Sequence, residues 1–366
     1  MKLFIGLLSG TSVDGIDAAI VAVEKNTARL IASHHQVFSD ELKKDLQNII
    51  KSQQLSLKQL ADTDSLLAFE FAQAVEILIK KSNLKKQQIT AIGSHGQTIY
   101  HQPNGNHKNT IQIGSAHKIA AYSGITVVAN FRNLDMAYDG QGAPLAPIIH
   151  QHLFKNKNKN SAIINLGGIA NISLIGKDYS SPIGYDTGPA NCLMDEWISI
   201  HKQQAYDDKG SWASQGKLNT TLLEQMLADD YFQKPVPKST GREYFNHQWY
   251  NNFIEIFKTT SAIDIQTTLS HLVAASIQLA IDKAAHDIDE IIMMGGGIHN
   301  TFLVSLIKQY TKIKTITAND LGYDSDWIEA MLFAFLAAKR IDNEKLDLLS
   351  FTGSSRPLLL GDIIIP

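Results

Sequence analysis

Short apolar runs bounded by glycine and polar turn residues open the chain at Lys2–Leu8, Asp17–Val23 and Arg29–Phe38, and each predicts a strand. Two stretches with helical spacing follow, at 40–52 and 59–81; the second carries Leu66, Leu67, Phe69, Phe71, Val75, Leu78 and Ile79 on its apolar positions. A short strand, Ile89–Ile92, then ends in Gly93-Ser94-His95-Gly96, and a helix near 115–123 leads into a strand at Thr126–Asn130. The second half repeats this order. Ser161–Leu166 ends in Gly167-Gly168, Asn171–Ile175 follows, and a short run reaches Tyr185. Helices are expected near 189–201 and 264–286, then a strand Glu290–Met294 running into Gly295-Gly296-Gly297, a helix near 300–310, a strand Lys314–Thr317 and a helix near 326–340.

A glycine-bearing hairpin starts each half, and a strand–glycine–helix–strand unit comes later in each. The order of elements, without sequence repetition, predicts a duplicated α/β fold of two domains with a cleft between them. The expected boundary puts 1–136 in an N-terminal α/β domain and 137–366 in a C-terminal one, with an irregular tail at 341–366 crossing back over either. Residues 205–250 read as an excursion with little periodicity.

Composition narrows the class. At 366 residues, 44% hydrophobic and 19% charged, the chain can bury two substantial cores. A net charge of −3 argues against a nucleic-acid partner, which needs a basic surface. The lone cysteine, Cys192, fits a reducing compartment. No apolar run approaches the roughly 20 residues that span a bilayer, and "MKLFIGLL" reads as a first strand instead of a leader. A soluble, cytoplasmic protein with no membrane partner is expected.

The candidate chemistry sits at the turns. In "SGTSVDGID", Gly10 and Gly15 allow close backbone approach, and the amides of Thr11, Ser12 and Val13 with the hydroxyls of Thr11 and Ser12 could converge on anionic oxygens. Asp14 and Asp17, either side of Ile16, would repel bare phosphate but suit Mg²⁺ or its water shell; a plain Asp-Gly hairpin turn remains the alternative. Gly167-Gly168 is a second such hairpin, and Gly295-Gly296-Gly297 would let a strand end approach a flat ligand. A dinucleotide fingerprint at that triple glycine, with Asp320 as ribose carboxylate, is a competing reading, disfavoured because Asn300 stands at the sixth position and the glycines come late in the chain. Asp186, in "GYDTGPAN", is either a general base aimed into a cleft or the cap of a helix begun by Pro189. Thr98, Arg132, Asp135 and Glu329 follow strands or edge a helix where a polar substrate could bind. His150 and His152, two apart, offer no metal pair on one helix face.

Taken together, "SGTSVDGID", "GSHGQT", "NLGGIANIS", "GYDTGPAN", "DDKGSWASQG", "STGREYFN", "GGGIHN" and the "FTGSSRP" tail resemble the anhydro-N-acetylmuramic acid kinase family, in order and over nearly the whole chain. The resemblance implies the duplicated, actin-like (ribonuclease H-like) fold of the acetate/sugar kinase–Hsp70–actin superfamily. It implies an ATP- and Mg²⁺-dependent kinase that opens a 1,6-anhydro amino sugar with water and phosphorylates it, in recycling of cell-wall peptidoglycan. It further implies Asp186 as general base, Thr98, Arg132, Asp135 and Glu329 on the sugar, and Gly10–Asp17 on the ATP phosphates. The two later glycine clusters are carried to the nucleotide side. Members of the family are commonly dimers, so a homodimer is the expected assembly.

Overall fold

The computed structural model describes residues 1–10, 13–24, 27–52, 54–105, 107–242, 244–254 and 259–366, apart from the side chains at 252 and 254. Its strands, in chain order, are β1 (Lys2–Ser9), β2 (Gly15–Glu24), β3 (Thr27–Val37), β4 (Ile89–Gln102), β5 (Asn109–Ile113) and β6 (Val127–Ala129). They continue with β7 (Asn160–Leu166), β8 (Ile169–Gly176), β9 (Ile183–Pro189), β10 (Glu290–Met294), β11 (Lys314–Thr317) and β12 (Asp362–Ile364). Two compact units result: Met1–Leu153 with Trp327–Pro366, and Phe154–Asp326.

The expected duplication is visible in the sheets. In the first unit the order is β12-β6-β4-β1-β2-β3, with β5 on β4; in the second it is β11-β10-β7-β8-β9. Each sheet contains a three-stranded antiparallel meander whose first strand pairs in parallel with a later one: β1 with β4, and β7 with β10. Central strands buried on both faces read as apolar runs, and β1 and β7 do so. The helix Leu57–Ser82 shows how local chemistry fixes an element. Ser56 and Gln59 form a capping box at its start, and Asn83 ends it in the left-handed conformation. Leu67, Phe71, Val75 and Leu78 then reach the first unit's core with Ile5, Leu7 and Ile92. In the second unit the helix Ala262–Asp282, capped by Ser261, buries Leu269, Leu272, Val273 and Ile277 against Ile164, Ile172 and Met293.

The boundary lies elsewhere than the sequence suggested. Residues 137–153 and 327–366 group with the first unit. The cause is a close helix–sheet contact. Gly6 and Gly93 are register neighbours on β1 and β4, and the helix Ile328–Ile341 lies directly on them. A Cβ at either glycine would run into the carbonyl oxygen of Ala330 or Phe333. The tail beyond that helix also belongs to this unit. β12 pairs with β6, Leu346 bridges Leu358, and Arg356 lies over the Tyr138 ring at 3.8 Å.

The 205–250 excursion is partly helical, with helices Thr220–Leu227, Asp230–Gln233 and His247–Ile254. Asp207 organises its start by accepting the amide hydrogens of Trp212 and Ala213, each at 2.9 Å. An aromatic cluster of Tyr231, Phe232, Tyr244, Phe245 and Trp249 holds the rest together.

Candidate active site

Ligands of open α/β sheets gather beyond the carboxyl ends of the parallel strands. Several of the candidate residues lie at or near those ends in each unit. Gly10 follows β1, Thr98 lies in β4, and Arg132 comes just after β6; Gly167 follows β7 and Gly295 follows β10.

In the first unit, Thr11 and Ser12 lie outside the described residues. Around them, Val13 is buried at φ 53°, its amide donating to Gly10 O at 3.2 Å. A β-branched residue in that region costs roughly 1–3 kcal/mol and is kept where the surroundings over-determine it, often at functional sites. Val13 and Ile16 point into the core, Asp14 is exposed, and Asp17 meets the His35 ring at 2.7 Å. Close by, Ser9, Ser94 and Gln97 are each 2% exposed. Ser9 Oγ, Ser94 Oγ and Gln97 Oε1 find no hydrogen-bond partner among the described residues. Buried orphans of this kind mark a polar site that a ligand or water completes.

Arg132 is held by two acceptors: its Nε donates to His95 Nε2 at 2.9 Å and Nη1 to Gly142 O at 2.6 Å. His95 stacks on Phe333 and lies 3.0 Å through Nδ1 from Gly96 O. Burial and the Arg132 charge hold its pKa well below the ordinary value, so the ring is neutral and can accept from the guanidinium. Asp135 is fully buried. It accepts the Thr352 hydroxyl and the Gly142 amide, each at 2.7 Å, and burial raises its pKa. In this structure it ties the tail to the loop that bears Arg132's acceptor. Thr98 accepts from Gln112 Nε2 at 3.2 Å, and Glu329 is exposed in the first turn of Ile328–Ile341, where a carboxylate complements the helix dipole.

In the second unit Asp186 lies within β9 opposite Asn171, and the following helix begins at Asn191, not at Pro189. The helix-cap alternative therefore does not describe it. Its carboxylate Oδ2 accepts the Thr240 amide at 2.9 Å, its own amide donates to Lys238 O at 3.0 Å, and its carbonyl accepts Tyr231 Oη at 2.7 Å. Lys238, packed on the Tyr231 ring at 4.3 Å, has its pKa pushed down to about 8 by burial and by Lys283 and Lys234. The Gly167 carbonyl accepts from Asn191 and that of Gly168 from Ala190 and Cys192. The amides of both glycines have no partner among the described residues. Gly295 and Gly297 are needed for packing, since a Cβ on either would strike Asn165 or Leu166, whereas one on Gly296 would meet nothing within 4 Å. The space beside Gly296 at this strand end is open.

Several expectations resolve into structure. Asp320 accepts from Thr317 N and Oγ1 in a local turn. His150 is buried and His152 stacks on Phe335. Among the described residues no group of three metal-ligating side chains occurs. His95, Tyr231, Lys238 and Thr240, which hold Arg132 and Asp186, carried no individual role in the sequence; "SHGQT" and "STGREYFN" pointed only to His95 and Thr240.

A family profile described as anhydro-N-acetylmuramic acid kinase matches residues 2–366. Among similar proteins, the anhydro-N-acetylmuramic acid kinase of Coxiella burnetii is 42% identical over 362 residues, covering 98% of this chain and 96% of its own. That of Aliivibrio fischeri is 43% identical over 366 residues, covering 99% of each chain. The protein of the same name from Legionella pneumophila is 41% identical over 364 residues, covering 99% of this chain and 98% of its own.

Proposed function

The chain belongs to the anhydro-N-acetylmuramic acid kinase family, and from that premise we propose that it opens the ring of 1,6-anhydro-N-acetylmuramic acid with water and transfers the ATP γ-phosphoryl group to O6. The products are N-acetylmuramic acid 6-phosphate and ADP. The observation that supports this reading best is Asp186, a carboxylate fixed by a backbone amide within the same unit as two unpartnered glycine amides. Asp186 takes a proton from water as the water oxygen bonds to C1. The C1–O6 bond breaks, and O6 bonds to the γ-phosphorus as ADP leaves.

Positioning and charge neutralisation supply most of the rate in phosphoryl transfer. The amides of Gly167 and Gly168 in the second unit suit phosphate oxygens, and so does the loop Gly10–Asp17 in the first. Mg²⁺, when bound to the phosphates, neutralises developing charge. It needs only one or two protein carboxylates beside phosphate and water, and Asp14 would supply one. On the sugar side Arg132 would meet the lactyl carboxylate, with Thr98 and Glu329 on hydroxyls. Asp135 would act by holding the Gly142 loop. We place the reaction in peptidoglycan recycling, in the cytoplasm, by a homodimer; among the described residues no helix is long and apolar enough to cross a membrane.

The test is ADP release measured with ATP plus either the anhydro sugar or ordinary N-acetylmuramic acid. Stimulation by the anhydro sugar alone is expected. Stimulation by ordinary N-acetylmuramic acid or another sugar in its place would assign a different sugar kinase activity.

A further inference from the structure

The loop Lys238–Arg242 does two things at once. Through Lys238 O and the Thr240 amide it clamps Asp186 at backbone and carboxylate. Two residues later the Arg242 guanidinium lies on the Gly167-Gly168 turn, where a Cβ on Gly168 would come 3.0 Å from Nη2 and 3.1 Å from Nε. A side chain at 168 would hold the guanidinium off the turn; glycine lets it rest there. Arg242 is exposed, and among the described residues its guanidinium makes no hydrogen bond or ion pair. The carbonyls of the turn are turned away into Ala190, Asn191 and Cys192. What the turn and the arginine present together are hydrogen-bond donors only: two glycine amides and the guanidinium fork.

Resting on the reading above, we infer that Arg242 is a catalytic residue whose guanidinium binds the phosphoryl group being transferred, beside the Gly167 and Gly168 amides. A guanidinium fork matches two oxygens of such a group, and its charge gains most where negative charge develops in the transition state. The loop makes the arrangement economical, because Lys238 and Thr240, which hold the base, and Arg242, the cation that receives phosphoryl charge, all lie on one short backbone segment. The competing role is structural. Arg242 also acts electrostatically on Asp195, in the helix Asn191–Lys202, though no ion pair within 4.0 Å joins them.

The experiment compares Arg242→Gln, Arg242→Lys and Asp195→Asn with the parent chain. Calorimetry reads the affinities for ADP and for a non-hydrolysable ATP analogue, and ADP release reads turnover. Arg242→Gln should lower kcat by about 10³-fold, in line with arginines that act on a transferred phosphoryl group. It should also remove the preference for the triphosphate analogue while leaving ADP affinity within about threefold. Arg242→Lys should restore part of the preference, and millimolar guanidinium ion should restore part of the turnover of Arg242→Gln. Unchanged kcat and unchanged preference in Arg242→Gln would overturn the inference. So would Asp195→Asn reproducing the whole defect, or an equal loss of ADP and analogue binding with a lowered Tm. If the parent chain binds both nucleotides but no sugar stimulates ADP release, the proposed reaction fails, and the nucleotide preference still decides Arg242.

Discussion

Asp186→Asn separates geometry from proton transfer. The substitution keeps the side chain's shape, and the amide oxygen of asparagine can accept the Thr240 amide as the carboxylate does at 2.9 Å. The backbone partners, Tyr231 Oη and Lys238 O, are untouched. A hydrogen bond to a charged acceptor contributes about 1.5–3 kcal/mol and a neutral one about 0.5–1.5, so the clamp should weaken by only about 1 kcal/mol. The asparagine cannot take a proton from water. A positioned general base contributes about 10²- to 10⁴-fold, which corresponds to roughly 3–5 kcal/mol of transition-state stabilisation. Turnover should therefore fall by orders of magnitude while stability and affinity barely move. The assay is ADP release across a range of anhydro sugar concentrations, with calorimetric titration of ATP and sugar into the same preparation. Turnover within about tenfold of the parent would refute the reasoning, as would a loss of ATP or sugar affinity large enough to account for the rate.

Other consequences are as concrete. Arg132→Ala should raise the KM for sugar more than it lowers kcat, measured in the same assay, and an unchanged KM would remove Arg132 from sugar recognition. Gly93→Ala drives a methyl group into the Phe333 carbonyl; overpacking costs about 1–3 kcal/mol where side chains can give way, and backbone gives less, so Tm should fall by several degrees or soluble yield be lost. Histidines make the first unit acid-sensitive: partial burial lowers His101 to about 4, with Arg132 adding to it, and full burial lowers His150 to about 3. Both lie below the ordinary value of about 6.5, so the unfolded chain binds more protons and stability declines as pH falls from about 7. At pH ~5.5 the cost is about 1.4 kcal/mol for each. Urea unfolding at pH ~7.5 and ~5.5 should show it, and His150→Gln should remove one share; an unchanged pH dependence in that variant would count against the assignment.

Apolar periodicity made the element order legible because the central strands are buried on both faces. β10 (Glu290–Met294) and β11 (Lys314–Thr317) lie where the pattern put them. β4 was read as ending at Ile92 but runs to Gln102, because Gly93 and Gly96 looked like a turn. Gly93 is instead a flat place for a helix to rest. β5 was missed, as was the helix Ala146–Phe154. Glycine has no side chain to report which of its two uses applies, close approach or turn. The candidate site was legible in part for a related reason. Asp186 and the glycines announce themselves as a carboxylate and as turns, whereas the groups that hold them act through backbone atoms, as at Thr240 and Lys238. Backbone hydrogen bonding is nearly independent of residue type, so sequence carries little trace of it. Asp135 shows the converse, a carboxylate whose residue type suggested a ligand and whose burial binds it to Thr352.

The seat of the helix Ile328–Ile341 on Gly6 and Gly93 also governs the order in which the polypeptide can mature. β1 leaves the ribosome before the whole of Phe154–Asp326, yet the helix that covers its glycine face leaves after it. Everything needed by Phe154–Asp326 has emerged before that helix does. The middle of the chain can close its core while the nascent N-terminal sheet still waits with one face bare. Such long-range closure is slow and leaves apolar surface exposed in the meantime. A chain ended at Asp326 should thus have a finished second unit and an uncovered first one, open to proteolysis on the strands that carry the first loop.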